Sequence, residues 1–469
     1  MSFFTNIISK IKKEHIIYFL AVCLLNIVFF FLLGNRKVLL EKDSYTYVKW
    51  SYLAMKKGYV LYPWFIKLIR IVHGEESFLT FVPIYQSAIS IICNLVLVEY
   101  IKKKFYISHV LGVLSHIFIL APYTYTLPEA VSSHYVLTEG LSIPLFHISV
   151  YFILKGIMDR KHIDSFVAIL LGVLLYLLRP QLAIVPILYI CIIIIHLFYD
   201  WTQRKSKTYF KGVIFSILGI ALIVGLCVYF AIIQSWANSR RNTQIIEATT
   251  GKALCLLTDE DVALYSGTDS EIYMELLADC RKNSRLISYF PRSILDYEQL
   301  HEIINGNVTA HETVIWEYFI SIRGDDGGTD SFAIRNLITS TEIMNHKLAF
   351  VGIILRLMPS SLVASIFVQP MRFRSVCYII AAFLYIAACI MLYFMKRKEV
   401  DKSYALPLCS VLIFVMTNSL ECNVLLYGQQ RYVIYCMGLF YISVIVAVVG
   451  CYRYRKNKGI GVGNNGGLR

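Results

Sequence analysis

The segment HIIYFLAVCLLNIVFFFLLG, residues 15–34, contains no Asp, Glu, Lys or Arg. An α-helix rises about 1.5 Å per residue, so a run of this length can cross the hydrocarbon core of a bilayer, which is about 30 Å thick. Lys10, Lys12 and Lys13 precede the run, and it lacks a small-residue cleavage site. Because basic residues favour the cytoplasmic side, the segment predicts a retained first span with a cytoplasmic N-terminus.

The composition of the whole chain is that of a polytopic membrane protein. Of its 469 residues, 57% are hydrophobic and only 16% are charged, and the mean hydropathy is +0.61. A soluble domain balances apolar and charged residues more evenly. The formal net charge of +14 would suit a nucleic-acid partner, but the Lys and Arg residues fall in short clusters between apolar runs. That distribution indicates membrane topology and argues against nucleic acid as a partner.

The apolar runs predict an all-α integral membrane protein with a bundle of about ten transmembrane helices. The segment 348–370 is long enough to span but carries Arg356 and Pro359 in its middle. We expect it to be re-entrant or interfacial, because the basic clusters that follow it then stay cytoplasmic. The predicted spans cover residues 15–34, 78–100, 106–125, 136–155, 163–178, 181–199, 212–234, 376–395, 404–418 and 432–451.

A long polar segment, residues 235–346, separates the apolar runs and holds more than half of the acidic residues. Its length and mixed polarity predict a folded external domain, with helical patterning in 271–287. The predicted parts of the chain are an N-terminal transmembrane module 1–234 with a first external loop 35–77, the external or periplasmic loop domain 235–346, a C-terminal transmembrane module 347–455 and a disordered cytoplasmic tail 456–469.

Two cysteines of the predicted external domain, Cys255 and Cys280, form a candidate disulfide, since an oxidising compartment would permit the bond. Spacing alone does not show that such a bond closes. The same domain contains the sequon Asn307-Val308-Thr309. It is a glycosylation acceptor only in a cell that modifies asparagine at that location.

Charged and polar residues collect at the predicted external ends of the spans. The first external loop continues from Asp43 into an amphipathic stretch, 44–72, which suits a helix or a helix pair lying in the interface. An ionised side chain within a turn or two of the hydrocarbon core is energetically costly, so it usually pairs with an opposite charge or has a functional role. The candidate substrate-side residues are Lys42, Asp43, Tyr47, His134, Glu139, Arg179, Arg431 and Tyr432.

One acid and several cations on one rim suit the transfer of a sugar from a polyprenyl phosphate to a hydroxyl. A carboxylate can deprotonate the acceptor, and Arg or Lys can stabilise the charge on the leaving phosphate. The lipid phosphate is a competent leaving group, so a separate general acid is dispensable. A single displacement of this kind inverts the anomeric centre.

The chain resembles the membrane glycosyltransferases of the GT-C superfamily, which includes protein O-mannosyltransferases and aminoarabinose transferases acting on lipid A. The resemblance rests on four motifs, Asp43-Ser44-x-x-Tyr47, Thr138-Glu139, Arg179-Pro180 and Arg431-Tyr432. It implies that Asp43 is the catalytic base and that Arg179 and Arg431 contact the phosphate. The chain lacks the Asp-Glu pair and the long C-terminal array of spans of the protein-mannosylating members, which favours a glycan or lipid-linked acceptor over a protein.

Each candidate also has a simpler structural interpretation. Asp43 could cap a helix that begins at Ser44. Arg179 could be a snorkelling anchor, and Arg431 with Tyr432 could be an interfacial pair of the aromatic belt. Glu139 could satisfy only the backbone or His134. Lys42 suits a headgroup contact.

Other functions remain open from the sequence. A polysaccharide polymerase, for O-antigen or capsule, or a carrier of lipid-linked glycans also has many spans and a large external loop, and a receptor or assembly subunit is a third alternative. His134, His311 and Glu312 show no recognised ligand spacing, so the sequence indicates neither a metal nor another cofactor. The predicted partners are the bilayer, a polyprenyl-phosphate-linked sugar and its acceptor. The predicted location is a bacterial inner membrane, with the active site on the external, periplasmic face.

Overall fold

The fold was examined in a computed structural model. It describes residues 13–32, 38–49, 61–125, 131–159, 161–187, 189–190, 243–291, 297–324, 328–367, 374–425 and 430–463, with positions 194, 214, 217–219, 221 and 225. The predicted spans 181–199 and 212–234 therefore lie mostly outside the described residues.

The described part of the chain is helical, as the sequence predicts. Its one extended pairing is an isolated bridge between Leu39 and Tyr135. In chain order the helices are α1 (Lys13–Ile27), α2 (Lys42–Val48), α3 (Leu61–His73), α4 (Phe78–Lys104), α5 (His109–Ile119), α6 (Glu139–Met158), α7 (His162–Leu178), α8 (Thr243–Ala253), α9 (Thr268–Lys282), α10 (Tyr297–Arg323), α11 (Gly328–Asn345), α12 (Lys347–Ala364), α13 (Arg374–Arg397), α14 (Lys402–Leu425), α15 (Gln430–Val433) and α16 (Met437–Gly463).

Seven helical stretches in the described residues are long and apolar enough to cross a membrane. This finding indicates an integral membrane protein with an all-α fold. Two shorter apolar helices occur at His109–Thr124 and Ile163–Leu178, where the sequence predicts spans. The predicted total of about ten spans stays a prediction. The seven stretches are Lys13–Phe31, Phe78–Lys104, Glu139–Met158, Lys347–Ala364, Ser375–Arg397, Lys402–Val424 and Arg431–Asn457.

The chain forms two compact units, which we describe separately. The first unit contains residues 1–241, 383–414 and 434–469, and the second contains 242–382 and 415–433. The second unit is thus larger than the predicted loop domain 235–346. Its location outside the cell stays a prediction.

In the first unit, α6 packs against both α4 and α7. Their turns meet at one end, where Lys104 Nζ lies 2.5 Å from Asp159 Oδ1 and Lys155 Nζ lies 3.2 Å from Asp164 Oδ1. The turn after α4 and the turn after α6 both carry clusters of basic residues, which favour the cytoplasmic side of a membrane. Their contact is what a shared side of the membrane requires.

The predicted first external loop contains the two helices α2 and α3, which agrees with the helix or helix pair predicted for the amphipathic stretch 44–72. One face of α3 is buried through Tyr62, Ile66 and Ile69. Its remaining surface exposes further large apolar residues, including Leu68 and Ile71. A helix with apolar residues on both faces suits a position between a protein core and the bilayer interface.

The second unit has its own apolar core between α9, α10 and α11. Ile272, Tyr273 and Phe319 are almost completely buried there, and α9 lies where the helical patterning of 271–287 predicts a helix. Helix α12 continues through Pro359 and buries Ile353 and Leu357 against another cluster of this unit. The helix Lys347–Ala364 is also one of the seven stretches long and apolar enough to cross a membrane, so the re-entrant or interfacial placement of 348–370 stays a prediction.

The candidate disulfide is a wrong prediction. Cys255 and Cys280 are both buried free thiols in the structure. The side-chain amide of Asn307 lies between them, 3.3 Å from the Cys255 sulfur and 3.5 Å from the Cys280 sulfur. Asn307 is itself completely buried, so the sequon is not accessible in the folded chain.

The predicted disordered tail 456–469 also needs correction. Helix α16 continues to Gly463, so residues 456–463 are helical. Residues 464–469 lie outside the described part.

Candidate functional site

Asp43 lies in the first turn of α2 and is half-buried. The helix begins at Lys42, and Glu41 is its N-cap. The Ser44 hydroxyl accepts a hydrogen bond from the Glu41 N–H at 2.9 Å. The interpretation of Asp43 as the cap of a helix starting at Ser44 is therefore wrong. A carboxylate in the first turn is nevertheless stabilised by the partial positive charge of the helix N-terminus.

The segment before α2 pairs with the segment before α6. The Leu39 N–H donates to the His134 carbonyl oxygen at 3.2 Å, and the Val136 N–H donates to the Leu39 carbonyl oxygen at 3.1 Å. This bridge brings the helix that carries Asp43 next to the start of the helix that carries Glu139.

An apolar cluster joins the same elements. Tyr47 of α2, Tyr62 of α3, Leu141 of α6 and Leu178 of α7 all belong to it. The rings of Tyr47 and Tyr62 meet edge to face, with their centroids 5.2 Å apart. Tyr47 is therefore a packing residue, and its burial fixes one side of α2 against the elements that carry Glu139 and Arg179.

Glu139 and Arg179 form a buried ion pair. Arg179 Nη1 lies 2.6 Å from Glu139 Oε1, and the side chains are only 4% and 2% exposed. The Thr138 hydroxyl donates to the other Glu139 oxygen at 3.1 Å. These positions exclude the interpretation of Arg179 as a snorkelling anchor, and they show that Glu139 does more than satisfy the backbone or His134.

The Arg179-Pro180 sequence explains why the arginine is available to pair. A proline disfavours the helical conformation in the residue before it. Arg179 is extended, with φ −149° and ψ 108°, and α7 ends at Leu178. At the other partner, Gly140 lies close to α4: a Cβ there would be 2.6 Å from the side-chain carbon of Gln86. The glycine thus permits the close approach of α4 and α6 beside the ion pair.

Two polar residues at this location are absent from the sequence prediction. Tyr435 interacts electrostatically with both charges of the pair, and its hydroxyl lies 2.8 Å from Ser142 Oγ. Gln86 donates to the carbonyl oxygens of Ser133 and Tyr135, at 2.7 and 3.0 Å. The sequence offered one weak indication, the position of Tyr435 within a turn of the Arg431-Tyr432 motif.

The first unit contains an apolar cavity of about 100 Å³, which lies further along α6 than the ion pair. Its lining includes Phe146, Tyr189, Phe414 and Leu439. Phe146 lies seven residues after Glu139, so the two side chains share one face of α6 at a separation of about 10 Å along the helix. The face of α6 therefore changes from a charged end to an apolar cavity.

His134 has a structural contact. Its Nε2 lies 2.9 Å from the carbonyl oxygen of Phe30, and the residue is 6% exposed. Lys42 is described only through its backbone, which opens α2. The side chains of His311 and Glu312 lie outside the described residues.

Arg431 and Tyr432 belong to the second unit. Arg431 Nη2 donates to the Tyr432 hydroxyl at 3.1 Å, and its guanidinium lies 5.1 Å from the centroid of that ring. Tyr432 is 4% exposed and packs with Ala364 and Cys422. A ring buried in this way does not fit the exposed aromatic-belt interpretation.

The second unit also contains a group of three side chains of the types that bind metal ions. They are Asp261, Glu342 and His346. Burial, and secondarily the charge of Asp261, raises the pKa of Glu342 to about 7. The group was not predicted, because Asp261 lies 81 and 85 positions before Glu342 and His346, and those two alone, four residues apart, do not indicate a metal site. Sequence spacing reveals a metal site only when the ligands are close along the chain.

Comparison of the chain with protein-family models, with curated proteins and with solved structures finds no match.

Proposed function

We propose that the chain is an inverting membrane glycosyltransferase. It transfers a sugar from a polyprenyl-phosphate donor to a hydroxyl of a glycan or lipid-linked acceptor at the external face of a bacterial inner membrane. The observation that supports this proposal is the arrangement on α6, where the buried Glu139–Arg179 pair is followed by an apolar cavity on the same helix face.

A polyprenyl phosphate has the same order of parts, an anionic head followed by an apolar tail. The Arg179 guanidinium is held by Glu139 and adjoined by Gln181, whose Oε1 lies 3.5 Å from Nη2. A held guanidinium loses little conformational freedom when it binds phosphate, and its planar donors match phosphate oxygens. The apolar cavity offers a surface for the first part of the tail.

In the proposed reaction, Asp43 accepts the proton of the acceptor hydroxyl. The acceptor oxygen attacks the anomeric carbon, and the bond between that carbon and the phosphate oxygen breaks. The electron pair leaves with the phosphate, whose added negative charge is stabilised by Arg179. Attack opposite the departing oxygen inverts the anomeric centre. Support for Asp43 comes from α2, which shares an apolar cluster with Leu178, the neighbour of Arg179.

Arg431 lies in the second unit, and its proposed contact with phosphate rests on the sequence resemblance alone. Tyr432 orients it, because the tyrosine hydroxyl accepts a hydrogen bond from its guanidinium. Lys42 remains a proposed contact to the lipid headgroup. His134 and Tyr47 support the site through packing and hydrogen bonds rather than through contact with the sugar.

The test compares Asp43→Asn with Glu76→Gln, which neutralises an exposed carboxylate of the same predicted external loop. Surface glycans from cells with and without the gene are compared by mass spectrometry to identify the missing sugar. The purified variants are then assayed for that transfer. We expect Asp43→Asn to lower turnover about 10²–10⁴-fold with normal folding, and Glu76→Gln to match the wild type.

A carrier or a polymerase predicts a different result. An Asp43→Asn protein with near wild-type activity contradicts the proposed base. Accumulation of unpolymerised repeat units in cells without the gene would favour a polymerase instead.

A further inference from the structure

A second cluster of ionisable residues lies in the second unit, away from every residue assigned to glycosyl transfer. Asp261 is in the turn Glu260–Leu264, Glu342 is in the last turn of α11, and His346 precedes α12. One ligand atom from each lies within 4.8 Å of the other two. His346 Nε2 is 2.7 Å from Asp261 Oδ2 and 3.7 Å from Glu342 Oε2.

Glu342 supplies an observation that points to a ligand. Its side chain is completely buried, and Oε1 accepts a hydrogen bond from the Tyr265 hydroxyl at 3.1 Å. Oε2 lies 3.7 Å from His346 Nε2 and forms no hydrogen bond of ordinary geometry among the described residues. A buried carboxylate oxygen without such a partner is unfavourable, so the native protein is expected to satisfy it.

The surrounding residues hold the cluster in place. The Thr258 hydroxyl donates to Asp261 Oδ2 at 2.5 Å, and the Tyr273 hydroxyl contacts the Thr258 backbone at 3.1 Å. Tyr265 and Tyr273 stack with their centroids 4.7 Å apart and belong to the apolar core of the unit. Metal ligands in proteins are oriented by outer contacts of this kind.

The cluster brings two carboxyl groups and one imidazole together. A divalent cation satisfies both carboxylates and binds the neutral imidazole. A ring nitrogen among the ligands favours zinc over calcium or magnesium, which prefer oxygen ligands throughout.

Two of the three ligand separations are close to those around a tetrahedral ion, and the third, between Asp261 and Glu342, is within 4.8 Å. Ligands about 2.0–2.2 Å from a tetrahedral ion stand about 3.3–3.6 Å apart. The separation of His346 and Glu342 is already close to this range, and the separation of His346 and Asp261 would widen by less than about 1 Å. His346 is 30% exposed, which gives an ion access from solvent.

We propose that Asp261, Glu342 and His346 form a zinc site of the second unit. The ion joins the turn 260–264 to the junction of α11 and α12. Three protein ligands leave a fourth position for water or an anionic group. The proposal does not depend on the glycosyltransferase assignment.

The test uses the full chain in lipid nanodiscs after treatment with a chelator. Zn²⁺ is titrated against a fluorescent zinc indicator, with Mn²⁺ and Ca²⁺ as competitors. We expect one zinc ion per chain and weak competition by Ca²⁺. Glu342→Gln and His346→Ala should each lower the affinity at least about tenfold. The matched control is Glu260→Gln, an exposed carboxylate beside Asp261, which should bind as the wild type does.

Two further measurements keep the test decisive if a variant folds poorly. Zn²⁺ should raise the melting temperature of the wild type, because it binds only the folded state. X-ray absorption of the zinc-loaded wild type should show nitrogen and oxygen ligands at about 2.0–2.1 Å. Absence of binding, a spectrum with sulfur ligands, or unchanged affinity in both variants would overturn the proposal.

Discussion

The two units each contain a buried ionic cluster, and the clusters differ in charge balance. In the first unit, Glu139 pairs with Arg179, one acid with one cation, at 2.6 Å. In the second unit, Asp261 and Glu342 share one histidine, His346. The balanced pair has one acid and one cation, whereas the unbalanced cluster has two carboxyl groups and one imidazole.

The largest expected effect is the loss of one member of the balanced pair. Arg179→Ala leaves Glu139 buried and uncompensated, which should lower the free energy of unfolding by about 3–5 kcal/mol. The measurement is thermal unfolding in detergent, read by size-exclusion chromatography. The double variant Arg179→Met with Glu139→Gln should recover most of the loss, since it removes both charges. Equal losses in the single and double variants would contradict a coupled pair.

The second prediction concerns the unbalanced cluster without metal. The pKa of Glu342 in the folded chain is raised to about 7 from 4.5, so the folded state binds a proton that the unfolded state releases. Stability should therefore fall as the pH rises from about 4.5 to about 7. Glu342→Gln removes this dependence and should be more stable than the wild type by about 1–3 kcal/mol above pH 7.

Thermal unfolding of both proteins from pH 5 to pH 8, in the presence of a chelator, measures this difference. Asp261, His346 and Tyr265 face Glu342 and are unchanged in the variant. The advantage of Glu342→Gln should shrink toward pH 5, where the wild-type carboxyl is protonated. A variant less stable than the wild type at pH 8 would show that the carboxylate is compensated after all.

The smallest expected effect concerns a partly exposed ion pair. It tests whether burial is the reason for the large loss of stability expected for Arg179→Ala. Lys104 and Asp159 form an ion pair at 2.5 Å, but their side chains are 32% and 25% exposed. Solvent screens such a pair, so Lys104→Ala should change the free energy of unfolding by only about 0–1 kcal/mol. The same thermal assay applies. A loss as large as that of Arg179→Ala would mean that distance, rather than burial, sets the strength of these pairs.

The sequence predicted the positions of the helices better than it predicted how they pack. Apolar runs gave the positions of α1, α4, α6 and α16, because each run is longer than a buried helix of a soluble domain needs. The segment 348–370 was harder to assign as a span, because Arg356 and Pro359 interrupt its apolar pattern without excluding a helix. The structure has a continuous helix over Lys347–Ala364, packed within the second unit.

The candidate site was predicted in part. The motifs Thr138-Glu139 and Arg179-Pro180 indicated two charged residues near the ends of spans, but not that they pair with each other. The candidate disulfide failed because the packing around Asn307 sets the distance between Cys255 and Cys280, and loop spacing carries no information on that distance.

The sequence by itself determined the class of this protein, because the cost of placing polar groups in hydrocarbon depends on composition and run length alone. It also determined where Asp43, Glu139 and Arg179 stand relative to the apolar runs. Only the tertiary structure decided which charges meet. Residues 40 positions apart in the first unit and more than 80 apart in the second come into contact through helix packing, which no local pattern records.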